Sequence, residues 1–328
     1  MRFSSIGDIV LTSPVVRCIK QQVKDAEVHF VTKESYRATI EHNPYLTKKF
    51  YLKDDLSSLL KQLKAENYDY IIDLHNNIRT FRIKLQLGIK SFSFDKLNIE
   101  KWLLVNFKIS KLPKIHIVDR YLETVKSLGV ENDLMGLDYF LPVDLRSFVS
   151  DDSKTVLQIP FRQFQYVAFA IGAQHATKRL PTEKIIALCK KISKPIVLLG
   201  GKEDTARAEE IVKAVGANSY NACGKLSLHQ SAAVIKYAEL IITHDTGLMH
   251  IAAAFDKKII SVWGNTVPEF GMYPYLRNNK PTDLFEVKNL DCRPCSKIGF
   301  DKCPKGHFNC MNKIDLEKIA AIVNSNKN

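Results

Sequence analysis

The sequence lacks several features that would each have pointed to a function class. No apolar run is long enough to cross a bilayer, and Met1 leads into polar Arg2, Ser4 and Ser5 rather than the charged-then-apolar pattern of a secretory signal. A cytoplasmic chain with reduced thiols is therefore expected. There is no internal repeat, no low-complexity stretch and no block of like charge, which excludes a solenoid and a long charged tail. Acidic residues are scarce beside basic ones, 35 against 48, giving a net charge of +13. That excess concerns partners rather than fold: nucleic acid, an anionic membrane face, an acidic substrate, or only a solvated basic surface.

What is present is globular. The chain has 328 residues, 45% hydrophobic and 25% charged, enough for two ordinary domains whose cores need no disulfides. Short apolar runs alternate with helical patterns, the signature of parallel sheets with crossover helices. Strands are expected at Val28–Thr32, Phe50–Leu52 and Tyr68–Leu74, with helices at Leu56–Lys64 and Val118–Ser127, the latter stopped by Gly129. The pattern fades from about 130 to 160, where Pro142, Asp151, Asp152 and Pro160 suggest an interdomain connection. It restarts with strands Tyr166–Ile171, Ile196–Leu199, Leu240–Thr243 and Lys258–Trp263, and with helices at Pro181–Ile192 and around Ala208–Val215. Two α/β domains follow, residues 1–150 and 151–328, with ligands expected at the carboxyl ends of strands facing a central cleft.

Several strand ends carry polar groups of interest. In Thr243-His244-Asp245-Thr246-Gly247-Leu248-Met249-His250 a strand gives way to a helix. Gly247 would let backbone N–H groups approach an anion at the helix N-terminus; the plain alternative is that Asp245 and Thr246 serve only as caps. The next strand end, Ser261-Val262-Trp263-Gly264-Asn265-Thr266, adds a second polar turn and favours a phosphate or sugar site. Lys178 and Arg179 precede a helix N-terminus, where positive charge is unfavourable unless an anion binds; a solvated loop is the plainer alternative. Glu203, after Gly200 and Gly201, is either a ribose acceptor or an ordinary first-turn acid. Asp8, in Ser4-Ser5-Ile6-Gly7-Asp8, is either a helix cap or a carboxylate able to take a proton from an acceptor hydroxyl.

Five blocks in order resemble the glycosyltransferase family that holds the ADP-heptose:lipopolysaccharide heptosyltransferases, glycosyltransferase family 9. They are Arg2–Pro14, Asp73-Leu74-His75-Asn76-Asn77-Ile78-Arg79, His116-Ile117-Val118-Asp119-Arg120-Tyr121, Lys178-Arg179-Leu180-Pro181, and Asp245-Thr246-Gly247 with His250. The resemblance implies a GT-B fold, two Rossmann-like doubly wound domains facing a cleft, and inverting transfer of heptose from ADP-heptose to the lipopolysaccharide inner core. It implies Asp8 as catalytic base, Lys178 on the donor diphosphate, and Thr246 and Gly247 on phosphate, with Asp245 and His250 organising their turn. Glu203 would face the nucleoside and Arg79 the anionic acceptor. His75 and Asp119 are expected to make core hydrogen bonds only. No cofactor is implied for catalysis. Peripheral contact with the inner membrane surface would give the basic surface a use. The same fold moving another nucleotide-activated sugar is the runner-up. A nucleic-acid-binding protein with a zinc knuckle is set aside, because basic residues are spread through both halves without aromatic–basic interleaving.

Outside those blocks stands Cys292-x2-Cys295-x7-Cys303-x6-Cys310. Four thiols so close suggest a structural metal knuckle away from the cleft, zinc first and iron second, with Lys297, Lys302, Lys305 and Lys313 offsetting thiolate charge. Cys-x2-Cys is also a redox motif. Cys18, Cys189 and Cys223 are expected in the core. Finally, a nucleotide-type domain opens with an apolar strand of about five or six residues. Only Arg2 and Phe3 separate Met1 from the Ser4–Asp8 loop, so a truncated first strand is expected, with a gap or stub beside Val28–Thr32 and reduced solubility or activity.

Overall fold

The computed structural model describes residues 1–145 and 159–326. The expected boundary at 150/151 lies outside the described residues. The first half contributes strands β1 (His29–Lys33), β2 (Lys48–Leu52), β3 (Ile71–Asp73) and β4 (Ser91–Ser93), and helices α1 (Ile6–Val10), α2 (Ser13–Gln22), α3 (Leu56–Lys64), α4 (Ile78–Leu87), α5 (Asn98–Phe107) and α6 (Ile117–Leu122). The second half contributes β5 (Val167–Ala170), β6 (Ile196–Leu199), β7 (Ser219–Asn221), β8 (Leu240–His244), β9 (Lys258–Trp263) and β10 (Asp283–Glu286). Its helices are α7 (Thr182–Cys189), α8 (Thr205–Val215), α9 (Leu228–Tyr237), α10 (Gly247–Ala254), α11 (Asn309–Asn312) and α12 (Leu316–Ser325).

The second-half sheet is parallel, in the order β10-β9-β8-β5-β6-β7. Counted from β5, this is the doubly wound dinucleotide order, and the direction of winding reverses between β5 and β8. The first half repeats the plan on a smaller scale. β1 pairs with β2 and β3 with β4, and Met1–Phe3 lies between the two pairs. Arg2 N–H donates to Val31 O and Leu74 N–H to Met1 O, both at 3.1 Å, while the terminal ammonium donates to Ile72 O at 2.6 Å. Met1–Phe3 thus stands between β1 and β3 as β5 stands between β6 and β8. Phe3 is fully buried against Val31, Leu59 and Ile83.

Strand β5 is buried on both faces, as parallel strands are. Val167 and Phe169 pack in a layer with residues of α7, α8 and α12; Ala168 and Ala170 pack in another with α9 and α10. The second layer also contains Val10, Leu11, Val118 and Tyr121, so one continuous core joins the halves. Cys18, Cys189 and Cys223 are buried, as expected.

The expected helix over Val118–Ser127 is shorter. α6 ends at Leu122 and a 3-10 turn runs Glu123–Leu128 to Gly129, whose φ is 76°. The Thr124 hydroxyl donates to Tyr121 O at 2.6 Å, a local bond that competes with the regular helical ladder. Strands β4 and β7 were not anticipated because each is three residues long with polar ends.

Candidate active site

Both reversal points open onto one cleft of about 890 Å³. Helix α1 follows Met1–Phe3 and α10 follows β8, and their N-termini pack together on the cleft floor. Two glycines permit this approach. A Cβ on Gly7 would come within 2.6 Å of the His250 ring, and one on Gly247 within 2.9 Å of Ile6 and 3.2 Å of Gly7 N. His250, buried beneath the contact, is driven down to about 4 by desolvation and is a neutral packing partner at physiological pH.

Asp8 lines the cleft and is held on both carboxylate oxygens. Arg2 pairs with Oδ1 at 2.6 Å. The Ser5 hydroxyl and backbone N–H donate to Oδ2 at 2.7 and 3.1 Å. Burial alone would raise its pKa, but the Arg2 charge and the Ser5 bonds outweigh burial and hold Asp8 below the usual carboxylate range. Arg2 is itself fixed by the carbonyls of Ser4 and Leu74 and by the Tyr121 hydroxyl. Asp8 is therefore an ionised, oriented carboxylate at the junction of the two halves.

Opposite it, Lys178 Nζ donates to Asp245 Oδ2 at 2.6 Å, and the Thr266 hydroxyl donates to the same oxygen at 3.0 Å. Asp245 thus pins Lys178 beside the start of α10, where Thr246 is the N-cap residue and the first backbone N–H groups have no helical partner. Beneath them His244, fully buried and neutral with its pKa lowered to about 3 by desolvation, accepts the Leu180 N–H at 3.0 Å, tying β8 to the Lys178 loop. Glu203 lines the far end of the cleft and is exposed; its neighbour Asp204 is buried and accepts the Gly201 N–H at 3.0 Å. This places a base, a cation and a helix N-terminus around one cavity.

The model for glycosyltransferase family 9 (heptosyltransferase) matches residues 56–299. The chain belongs to that family. It is 25% identical to lipopolysaccharide heptosyltransferase 1 of Campylobacter coli, over 98% of this chain and 96% of that one. It is 26% identical to lipooligosaccharide heptosyltransferase 2 of Campylobacter jejuni, over 96% and 93%. Among solved structures, E. coli heptosyltransferase WaaC with ADP-2-deoxy-2-fluoro heptose superposes with a TM-score of 0.68 at 19% identity, covering 100% of both chains. The iron-containing dodecameric glycosyltransferase TibC from enterotoxigenic E. coli H10407 gives 0.56 at 14%, over 98% of this chain and 74% of that one. The fold is GT-B.

Of the site residues expected for this glycosyltransferase, Asp8, Lys178, Glu203, Asp245, Thr246, Gly247 and His250 all line the cleft. Arg79 does not. It sits on α4 with its guanidinium 5.3 Å from the centre of the Phe3 ring, a cation–π contact. Position in a motif gave no sign of which way α4 would turn it. Besides Arg2 and Lys178, the cations that line the cleft are Lys96, Lys101 and Lys297. Burial, then the charges of Arg120 and Lys297, push Lys101 down to about 8. These lysines lie outside the recognised blocks and were missed; a basic cluster assembled from distant loops leaves no local spacing signal.

His116 and Asp119 serve the core. His116 Nδ1 accepts the Val118 N–H at 3.1 Å and caps α6, so its Nε2–H donates to Tyr273 O at 2.9 Å. Asp119 accepts from Asn132 and the Tyr275 hydroxyl at 3.0 and 2.9 Å. His75 departs from expectation: it lines the cleft, packs edge-on to Phe3, and is neutral with its pKa lowered to about 4 by burial and then by Arg2 and Lys96.

The cysteine-bearing loop is not remote from the cleft as expected. Lys297 and Ile298 line it, and Phe300 exchanges hydrogen bonds with Thr177, next to Lys178. All four thiols are free, and no three of their sulfurs lie within 4.8 Å of one another. They are nonetheless near enough to interact: burial, then Cys295, Cys303 and Cys292, raises Cys310 to about 12. Cys292 Sγ is 3.9 Å from His307 Nε2.

Proposed function

We propose that this glycosyltransferase moves heptose from ADP-heptose to a hydroxyl of the lipopolysaccharide inner core, in the cytoplasm. The observation that carries the reading is the meeting of α1 and α10, which sets ionised Asp8 across one cleft from Lys178, Thr246 and Gly247. The acceptor oxygen attacks the anomeric carbon as the bond to the diphosphate breaks on the opposite face. An ionised Asp is a weak base, so Asp8 takes the hydroxyl proton late, once the attacking oxygen has become acidic. Lys178, the Thr246 hydroxyl and the α10 amides receive the charge that builds on the departing ADP. Glu203 accepts from the nucleoside, and Lys96, Lys101 and Lys297 meet carboxylates or phosphates of the acceptor.

The test is incubation with ADP-heptose and a purified core acceptor. The acceptor should gain the mass of one heptose as ADP appears. Preference for another nucleotide sugar would overturn this reading in favour of the same fold with a different donor. In the same assay Lys101→Met should raise acceptor KM by roughly one to two decades, the loss of a charge-assisted contact of about 1.5–3 kcal/mol, with donor KM little changed. Free Lys101 loses its proton near pH 8, so wild-type kcat/KM for acceptor should fall as pH rises through that value.

The acceptor reading also accounts for an exposed apolar stripe. Ile78, Phe81 and Leu85 on α4 are 77%, 60% and 69% exposed at helical spacing, with Arg79 and Arg82 beside them, and Ile99 and Trp102 on α5 are 72% and 54% exposed. Basic residues flanking an apolar face suit an anionic membrane surface. No helix among the described residues is long and apolar enough to cross a membrane, so the contact is peripheral. Phe81→Ser with Leu85→Ser should reduce sedimentation with anionic vesicles severalfold and leave transfer to a lipid-free acceptor intact.

For the cysteine loop we propose a structural metal ion, zinc or iron, held by Cys292, Cys295, Cys303 and Cys310 after the loop tightens around it. The donor set fits a thiolate-ligated ion, and TibC is described as iron-containing. Elemental analysis of protein purified without added metal should find about one such ion per chain, lost in a Cys295→Ser variant.

A further inference from the structure

The tightest group of metal-ligating atoms among the described residues is not the cysteines. A carboxylate oxygen of Glu41, a ring nitrogen of His42 and a ring nitrogen of His229 lie within 4.8 Å of one another. Glu41 and His42 follow the 3-10 turn Glu34–Thr39 of the first half, whereas His229 is on α9 of the second. His229 Nε2 is 2.8 Å from Glu41 Oε1, and the His42 and His229 rings are 5.0 Å apart.

The other side of His229 sharpens the case. Its Nδ1 is 3.1 Å from the Tyr139 hydroxyl, which donates to Ala38 O at 3.4 Å. The hydroxyl has one proton and two acceptors in reach, so without a metal it can turn to Nδ1 while Nε2–H donates to Glu41. With a metal ion on Nε2, Nδ1–H donates to the Tyr139 oxygen and the hydroxyl proton stays on the Ala38 carbonyl. The ion would draw on His229 Nε2, on the Glu41 carboxylate and on the His42 ring, whose Nε2 is 3.8 Å from Glu41 Oε1. The surroundings permit one: Arg37 lies 3.9 Å from Glu41 but is closer to Glu34, at 3.1 Å. Tyr139 stands where an outer partner would fix the ligand tautomer.

We infer that Glu41, His42 and His229 form a divalent-cation site of the zinc type that clasps the two halves of the enzyme. Two imidazoles and one carboxylate, with a position left for water, are a donor set zinc accepts. Tyr36 on one side, and Leu228 and Ser231 on the other, line the cleft, so the clasp sits at its rim. A bound ion would replace the His229–Glu41 hydrogen bond and hold the rims at one spacing.

Cobalt titration of the full chain separates this site from the thiols, because thiolate ligands give charge-transfer absorption and imidazole and carboxylate do not. The wild type should bind one equivalent without that absorption. His42→Ala, at an exposed position, and Glu41→Gln should each weaken that equivalent at least tenfold while leaving transfer by the metal-free enzyme unchanged. Added zinc should raise the thermal midpoint of the wild type more than that of His42→Ala. The idea is overturned if wild type binds cobalt only with thiolate absorption, or if both variants bind the same number of equivalents equally well. Since the readout is metal binding, failure of the heptosyl reading would leave it standing.

Discussion

Asp8→Asn is expected to lower kcat by ~10²–10⁴, the usual contribution of a positioned general base, while ADP and ADP-heptose still bind. The amide is the same size and its oxygen can still accept from Ser5, so α1 should keep its place on α10. What disappears is the charge that Arg2 holds at 2.6 Å. Because Asp8 sits below the ordinary carboxylate range of about 3.9, wild-type activity should not decline between neutrality and about pH 5 on its account. A depressed pKa means the ionised form is lost only as pH falls through that lower value. Steady-state kinetics with calorimetric donor binding checks both halves. Near-normal turnover in the variant would reduce Asp8 to a helix cap and require another base.

Lys178→Ala should weaken ADP by at least the one to two decades that a charge-assisted bond of about 1.5–3 kcal/mol represents. The local arrangement argues for the upper end. Lys178 now compensates Asp245, so its removal leaves a carboxylate, held by Thr266, at the place prepared for a diphosphate. That repulsion makes a distinctive prediction: Lys178→Ala with Asp245→Asn should recover part of the lost ADP affinity. Isothermal titration of the single and double variants decides it. Unchanged affinity in the single variant would remove Lys178 from the donor site.

Strands with strong apolar runs were legible at once. Ile196–Leu199 and Lys258–Trp263 occur as read, because parallel strands buried on both faces are apolar along nearly their whole length, Lys258 and Ser261 being the two exceptions in these strands. The residues expected on the donor side line the cleft, since each follows the carboxyl end of a parallel strand, β5, β6 or β8, on the edge of the sheet that faces it. Arg79 lies outside the cleft lining for a physical reason. A motif fixes where a residue sits in the chain, but the turn at Asp73–Asn77, held by Asp73 accepting from His75 and Asn76 N–H, decides where α4 starts, and no α4 side chain lines the cleft.

By itself the sequence determined the alternation of strand and helix, the two-unit plan and the residues at its strand ends, because these follow from local periodicity and short-range backbone chemistry. Only the tertiary structure decided what meets across the units. Gly7 against Gly247, the lysine cluster of residues 96, 101 and 297, and His229 beside Glu41 each join segments far apart in the chain. Such contacts come from the packing of α1 on α10 and the core the two halves share, and no periodicity along a chain encodes the distance between two of its faces.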